Sequence, residues 1–494
     1  RTNYGRGHFS AVFDPTPKHT AGFDIEYTER STHMPTLSRT TLGQTQSDSR
    51  YRQHMDGNTL TATANYIWKI DTLGSQFKLI ADYTRYTSDG DNSYHTTTCA
   101  PGTLRDSLYE SATGSVYDIL TADAGLTRKL PHGLTLRAGL RYTRNDMADK
   151  SRYAAQTQGT WLALPEYSYD QHYTEQIGAA YASLEYSAGR WELSAGLRGE
   201  YTSVASQAFG RSYFGLFPNV SVSRALNALR TWLLVAQWSR NIERPAFPAL
   251  NPARIRISDY SWQSGNPSLR PTYIHRFSLT AVWKYRYTLT VGGNLHHDLI
   301  REIAHRDATA PDAVYIRPEN HYTENHWFVA ASVPAKITRW WNLSVNAVGV
   351  MQRIRLNSTD SPATHYLMFA DATCSFTLPA GFFAEAVYRA QSRLYSGNSE
   401  VGPRHTLSAT VKKQLFGKRL TLFCTLSNIT GCDWEFASLT DGMRRTIDTG
   451  QAWSGRLWKV GAAWNFRTGK KFRARTVESA AETQRKRLVK STEQ

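Results

Sequence analysis

The sequence predicts an all-β chain that crosses a membrane as an antiparallel up-and-down β-barrel. Three observations predict it: apolar and polar side chains alternate along nearly the whole length, short turns alternate with long connections, and Tyr and Trp gather at strand ends. Composition agrees. The 494 residues include 27 Tyr and 14 Trp, yet mean hydropathy is -0.49, so large amphipathic rings sit in a chain that is polar on average. No apolar run approaches the roughly 18 residues of a spanning helix, whereas a barrel strand needs only about 9 to 11, half of them facing a polar interior.

The alternation is explicit in GLTLRAGLRYT, where Leu134, Leu136, Ala138, Leu140 and Tyr142 share one face of a strand and Thr135, Arg137, Gly139, Arg141 and Thr143 share the other. In RWELSAGLRGEY, Trp191, Leu193, Ala195, Leu197 and Tyr201 oppose Glu192, Ser194, Gly196, Arg198 and Glu200. YTLTVGGNLHHDL repeats the pattern, and so does SGRLWKVGAAWNF, with Trp458, Val460, Ala462, Trp464 and Phe466 on one side. The two faces call for different solvents.

The connections separate a membrane barrel from a soluble sandwich, which also alternates. Short turns follow Phe13, Ile70, Lys129, Tyr186, Thr377 and Gln414; long connections are expected at Ser88 to Gly114, Asn145 to Gln171, Tyr201 to Leu216, Asn241 to Pro271 and Thr430 to Gln451. Tight periplasmic turns and extended external loops are the habit of outer-membrane barrels. Rings at Tyr66 and Trp68, Tyr181 and Tyr186, Trp283 and Tyr285, Trp340 and Trp341, and Trp458 and Trp464 suit the lipid headgroup level.

This reading gives about 19 visible strands. The first and last both descend toward the short-turn side, so the visible number is odd and one or three further strands are expected upstream of Arg1. No basic start with an apolar core, the mark of a secretory signal, opens the chain. Residues 1–467 are therefore expected to be barrel, N-terminally incomplete, and 468–494 a basic periplasmic tail, solvated or forming a short amphipathic helix.

One connection stands apart. Between Arg240 and Pro271 runs RNIERPAFPALNPARIRISDYSWQSGNPSLRP, dense in proline and closed by a Gly-Asn-Pro turn. Proline fixes φ and removes a donor, so a long loop loses less entropy on ordering, and Asn and Gly supply tight turns. Its residue types chiefly shape backbone, which fits a stiffened rim; Tyr260 and Trp262 are the candidates for contact with cargo. The stretch resembles the external loop of TonB-dependent receptor barrels in the outer-membrane β-barrel family of Bacteroidota, matching at Arg244, Pro245, Leu250, Asn251, Pro252, Asp259, Gly265, Asn266, Pro267, Leu269 and Pro271. Thr272 stands where that family usually has Glu. The aromatic-terminated last strand and its basic tail are similar as well.

The resemblance implies a barrel of 22 strands in the bacterial outer membrane, preceded by a plug domain and TonB box that this sequence does not display. It implies import of a scarce ligand, an iron chelate, cobalamin, glycan or peptide, with outer-membrane lipid, the TonB complex, the plug and a surface lipoprotein as partners. Alternatives are a non-transport barrel serving as scaffold or adhesin, and an outer-membrane lipid hydrolase with His95, His321 and His326 as candidate residues.

Other chemistry finds little support. The formal charge of +17 is partly in the tail after Phe466 and otherwise dispersed, unlike the clustered basic face that nucleic acid selects. Nucleophile elbows, phosphate-cradling glycine loops and paired metal motifs are missing, so neither enzyme activity nor a cofactor is expected. Adjacent His296 and His297 point to opposite faces of a strand and cannot chelate one ion; His297 reads as a girdle residue. Cys99, Cys374, Cys424 and Cys432 are too scattered for a disulfide framework, with Cys424 and Cys432 the one candidate pair.

Overall fold

A computed structural model describes the chain except residues 208, 253, 259, 308–312, 432–433, 441–442, 450–454, 467–476 and 489–494. Among the described residues, nineteen long strands follow one another in a single antiparallel meander. They are β1 (Thr2–Thr16), β2 (His19–Leu42), β3 (Thr45–Lys69), β4 (Gln76–Ala100), β5 (Thr103–Lys129), β6 (Leu134–Thr157), β7 (Tyr169–Ala188), β8 (Trp191–Ser206), β9 (Gly210–Ala225) and β10 (Trp232–Glu243). The meander continues through β11 (Thr272–Trp283), β12 (Tyr287–Arg306), β13 (Val314–Lys336), β14 (Trp341–Arg355), β15 (Ala363–Leu378), β16 (Phe382–Gln391), β17 (Arg404–Leu415), β18 (Leu420–Ser427) and β19 (Leu457–Trp464). Three short strands, Thr160–Ala163, Ile255–Ser258 and Ser261–Gln263, bring the sheet to 22. No ladder joins β1 to β19 among the described residues, and both run toward the short-turn end.

Register shows why the alternation dictates this wall. One outward row runs Ala81, Ala122, Tyr142, Gly178, Tyr201, Phe214 across successive ladders, while the next row up runs Asp82, Thr121, Thr143, Ile177, Thr202, Tyr213 and faces inward. Leu140, Tyr142, Tyr201 and Phe214 are exposed on the convex side, whereas Thr121, Thr143 and Thr202 are buried on the concave one. A continuous apolar band of this extent belongs against lipid tails.

The short turns form where expected. In the Leu-Pro-x-Gly turns, Pro131 and Pro379 accept the backbone N–H of Leu134 and Phe382 and close one tight loop each. Rings line this end: Trp232 stacks on Trp283 with centroids 5.7 Å apart, and Trp340, Trp341 and Phe376 form a mutual stack. Tyr181 departs from this pattern. It faces inward, its hydroxyl donates to Asp123 (3.3 Å), and its ring covers Gly139, its register partner, where a Cβ would lie 2.4 Å from the hydroxyl oxygen.

The long connections are shorter than expected, because the ladder continues beyond the membrane band. Ser88 to Gly114 is almost wholly the hairpin of β4 and β5, turning at Pro101 and Gly102, and β6 and β7 carry most of Asn145 to Gln171. Thr, Ser and Tyr in those stretches pair well across strands, and alternation there serves loop packing instead of a lipid boundary. A second, four-stranded sheet (Leu394–Ser396, Ser399–Val401, Trp434–Thr440, Met443–Thr449) sits at this outer end. Asn398 ties it to β12, its side chain accepting from the Ala304 N–H (2.9 Å) and donating to the Ala304 carbonyl (2.7 Å).

Cys99, Cys374 and Cys424 are free thiols, and Cys432 lies outside the described residues.

Candidate functional site

The stretch after β10 folds into the concave face of the wall. Arg244 starts it, its side chain buried, donating to Glu200 (2.7 Å) and Thr202 (2.9 Å) of β8 and lying 3.8 Å from Glu175 of β7. Alternation places Glu175, Glu200 and Thr202 on the inner face, and the loop supplies the countercharge. A single helical turn follows, α1 (Phe247–Leu250), with Pro248 at its second position, and directs Phe247 and Leu250 into a cluster with Tyr117, Ile119, Met147, Tyr173, Val204 and Leu269. Burial of these apolar side chains fastens the loop inside the wall.

The two proline motifs of the loop are bonded to each other. Gly265 donates to the Asn251 carbonyl (3.0 Å) and Asn266 to the Ala249 carbonyl (2.7 Å), so the backbones lie so close that a Cβ on Gly265 would fall 2.1 Å from the Asn251 oxygen. Only glycine fits there. The Asn251 side chain accepts the Tyr169 hydroxyl (2.5 Å), and Asn266 donates to the Pro318 carbonyl (3.0 Å) while accepting from Ser268. Leu269 is fully buried and its carbonyl accepts from Arg211 (2.8 Å). Pro245 and Pro271 are buried, Pro252 and Pro267 half-buried, and Asp259 lies outside the described residues.

Thr272 opens β11 directly after the loop. Its hydroxyl donates to the Asp298 carbonyl (3.0 Å) and accepts from Ile300 (3.3 Å), closing a bulge in β12 where Asp298 holds φ 56°.

Tyr260 and Trp262 are both half-buried. The Tyr260 carbonyl accepts from Val314 (2.8 Å), and Trp262 lies under the Arg254 guanidinium at 3.8 Å. Arg254 also covers Tyr167 (4.4 Å), and Arg256 covers Tyr109 (4.0 Å). Tyr51, Tyr94 and Tyr153 extend this shelf of rings, Tyr51 and Tyr94 stacking at 4.7 Å. Burial pushes the Tyr94 and Tyr153 hydroxyls well above their usual range, so they remain donors. Asp149 sits beneath, accepting from Ser115 (2.5 Å) and Tyr117 (2.8 Å); burial pushes its carboxyl up although those donors pull it down. Stacked rings and guanidinium faces can grip flat or anionic groups.

A second polar cluster surrounds Glu324 of β13, which is fully buried and takes Arg301 (2.9 Å), Gln352 (2.8 Å) and His326 (2.8 Å) on one carboxylate oxygen. The Glu324 carbonyl accepts from His296 (2.7 Å). Thus His321 and His326 flank a structural carboxylate, while His95 is exposed beside Asp106 (3.3 Å) at a different hairpin, and the three form no common site. His297 points outward against Tyr322, opposite to His296.

Sequence reasoning missed Glu175, Glu200 and Glu324 as focal points. Their inward parity was readable, but their partners lie tens to hundreds of residues away. It also missed that residues 477–488 rest against the inner wall, with Arg487 donating to Glu175 (2.5 Å).

The model of a family described as outer membrane protein beta-barrel family matches residues 68–461. Among solved structures, the chain is similar to the ferric-catecholate import receptor Fiu from K12 E. coli, in its closed form, with TM-score 0.59, 10% identity, and coverage of 94% of this chain and 80% of that one. It is similar also to the ferric yersiniabactin uptake receptor FyuA from Yersinia pestis, with TM-score 0.51, 10% identity, and coverage of 94% and 80%. No functionally curated protein matches the sequence.

Proposed function

The chain belongs to the outer membrane protein beta-barrel family, and from that premise we propose that it is the barrel portion of a TonB-dependent receptor, importing a scarce ligand across the bacterial outer membrane. The observation that carries this reading is the inward fold of residues 244–271, which Arg244, Phe247 and Leu269 fasten inside the wall at the outer mouth. A loop so held offers cargo a fixed surface and at the same time touches the lumen through which cargo would pass. The Arg254, Arg256 and tyrosine shelf supplies donors and ring faces for an anionic or planar cargo such as an iron chelate. The plug, the TonB complex and a surface lipoprotein are the partners that this reading requires or accommodates.

The test is uptake. Deletion of the gene should abolish growth on one limiting nutrient among ferric chelates, cobalamin, glycans and peptides, and the wild-type gene should restore it. Unchanged uptake across all four classes would overturn the proposal and leave a scaffold or adhesin.

A further inference from the structure

Residues 477–488 climb the inner wall from the short-turn end to the underside of the mouth loop. Glu478 pairs with Lys78, and Val477 approaches within 3.1 Å of where a Cβ on Gly22 would lie, both near short turns. Higher up, the Ala480 N–H donates to Asp82 (2.7 Å). A helical turn, α2 (Glu482–Arg485), and a tighter one, Lys486–Leu488, then place Gln484 and Arg487 on one face, as a spacing of three dictates. Gln484 accepts from Asn145 (3.3 Å) and from Arg487 (2.8 Å). Arg487 donates to Glu175 (2.5 Å) and to the Pro245 carbonyl (3.0 Å), and its guanidinium lies 4.3 Å over the Phe247 ring. Both side chains are buried, while Glu482 and Lys486 pair with each other (2.9 Å) on the exposed side.

We propose that the inner wall at Asp82, Asn145 and Glu175, together with Pro245 and Phe247, is a binding site for the chain's own segment 477–488, which props the mouth loop from beneath. The chemistry selects this occupant. Glu175 is buried and Arg244 reaches it only at 3.8 Å, so a second guanidinium is needed to match its charge, and Arg487 delivers one. Arg487 takes two of its partners from the loop, so movement of that loop by a ligand outside loosens the segment inside. This coupling holds whether or not the barrel imports cargo.

Two measurements on the full-length protein test it. With Cys99, Cys374, Cys424 and Cys432 changed to Ser, the pair Asp82→Cys and Ala480→Cys should form a disulfide in isolated outer membranes under mild oxidation. Arg487→Glu should raise cleavage of residues 245–271 by protease added outside intact cells at least tenfold over wild type, Arg487→Lys should raise it less, and the oxidised cysteine pair should not raise it. Absence of the cross-link, or equal cleavage of wild type and Arg487→Glu, overturns the proposal.

Discussion

Arg244 and Glu200 form a buried ion pair, 2.7 Å apart, that ties the first residue of the mouth loop to β8. Glu175 and Glu200 share this guanidinium, and each has a second arginine, Arg487 and Arg198 respectively. Removing Arg244 leaves two buried carboxylates with one guanidinium each and costs less than the roughly 3–5 kcal/mol of a buried charge left wholly unmatched, but it cuts the tie between loop and wall. Arg244→Ala should therefore release residues 245–271 to protease added outside intact cells, while Arg244→Lys, with one compact charge and no fork, should give partial release. Equal cleavage of wild type and Arg244→Ala would contradict the anchoring role.

Gly265→Ala should disturb the loop without altering the barrel. Its Cβ would collide with two backbone oxygens, of Asn251 and Ala249, neither of which can rotate away. A cost of about 1–3 kcal/mol or more is expected, as for overpacked sites. The measurement is cargo uptake alongside the heat-modifiable gel mobility of the folded barrel. Uptake should fall and mobility should persist.

Two carboxyls at the mouth should respond to pH in opposite senses. Burial raises Glu400, but hydrogen bonds and charge from Arg393 and Arg444 outweigh it and hold the carboxyl below its usual range. Its contribution is present above the unfolded pKa and is lost as pH falls through the folded one. Asp149 is raised by burial, so the contribution of its neutral form is present at low pH and lost as pH rises through the folded pKa. Acidification should loosen residues 393–401 and tighten the Asp149 region, read as hydrogen exchange between about pH 3 and pH 7. Asp149→Asn should remove the second effect and leave the first.

Leu140→Arg tests the assignment of faces. Leu140 points outward in the apolar band, where an arginine near the membrane midplane costs about 2–4 kcal/mol. Its neighbour Arg141 already carries that charge inward, 2.7 Å from Asp123. Leu140→Arg should lower the folded fraction in outer membranes several-fold, and Leu140→Phe should not.

Period-two patterning made the wall legible, because each strand carries its own statement of which side meets lipid. Thr143 and Tyr142 were assigned to their faces from sequence alone. The mouth loop was legible as a shape, since Gly265, Asn266 and the prolines are backbone-determining residues. The extension of β4 and β5 past the membrane was not, because Ser, Thr and Asp between 88 and 114 read as loop composition while cross-strand pairing turned them into ladder. Nor could alternation reveal that Glu175, Glu200 and Arg244 meet, since that depends on height along three different strands and on the loop folding inward instead of out.

The ring of Tyr181 seated on Gly139 is also a notch and pawl between β6 and β7. If β6 slid by one position, Ala138 or Leu140 would be driven under that ring, and every side chain of the strand would trade oil for water. A slipped hairpin is thus penalised twice, by the collision beneath the ring and by the exchange of faces, and the in-phase pairing alone escapes both.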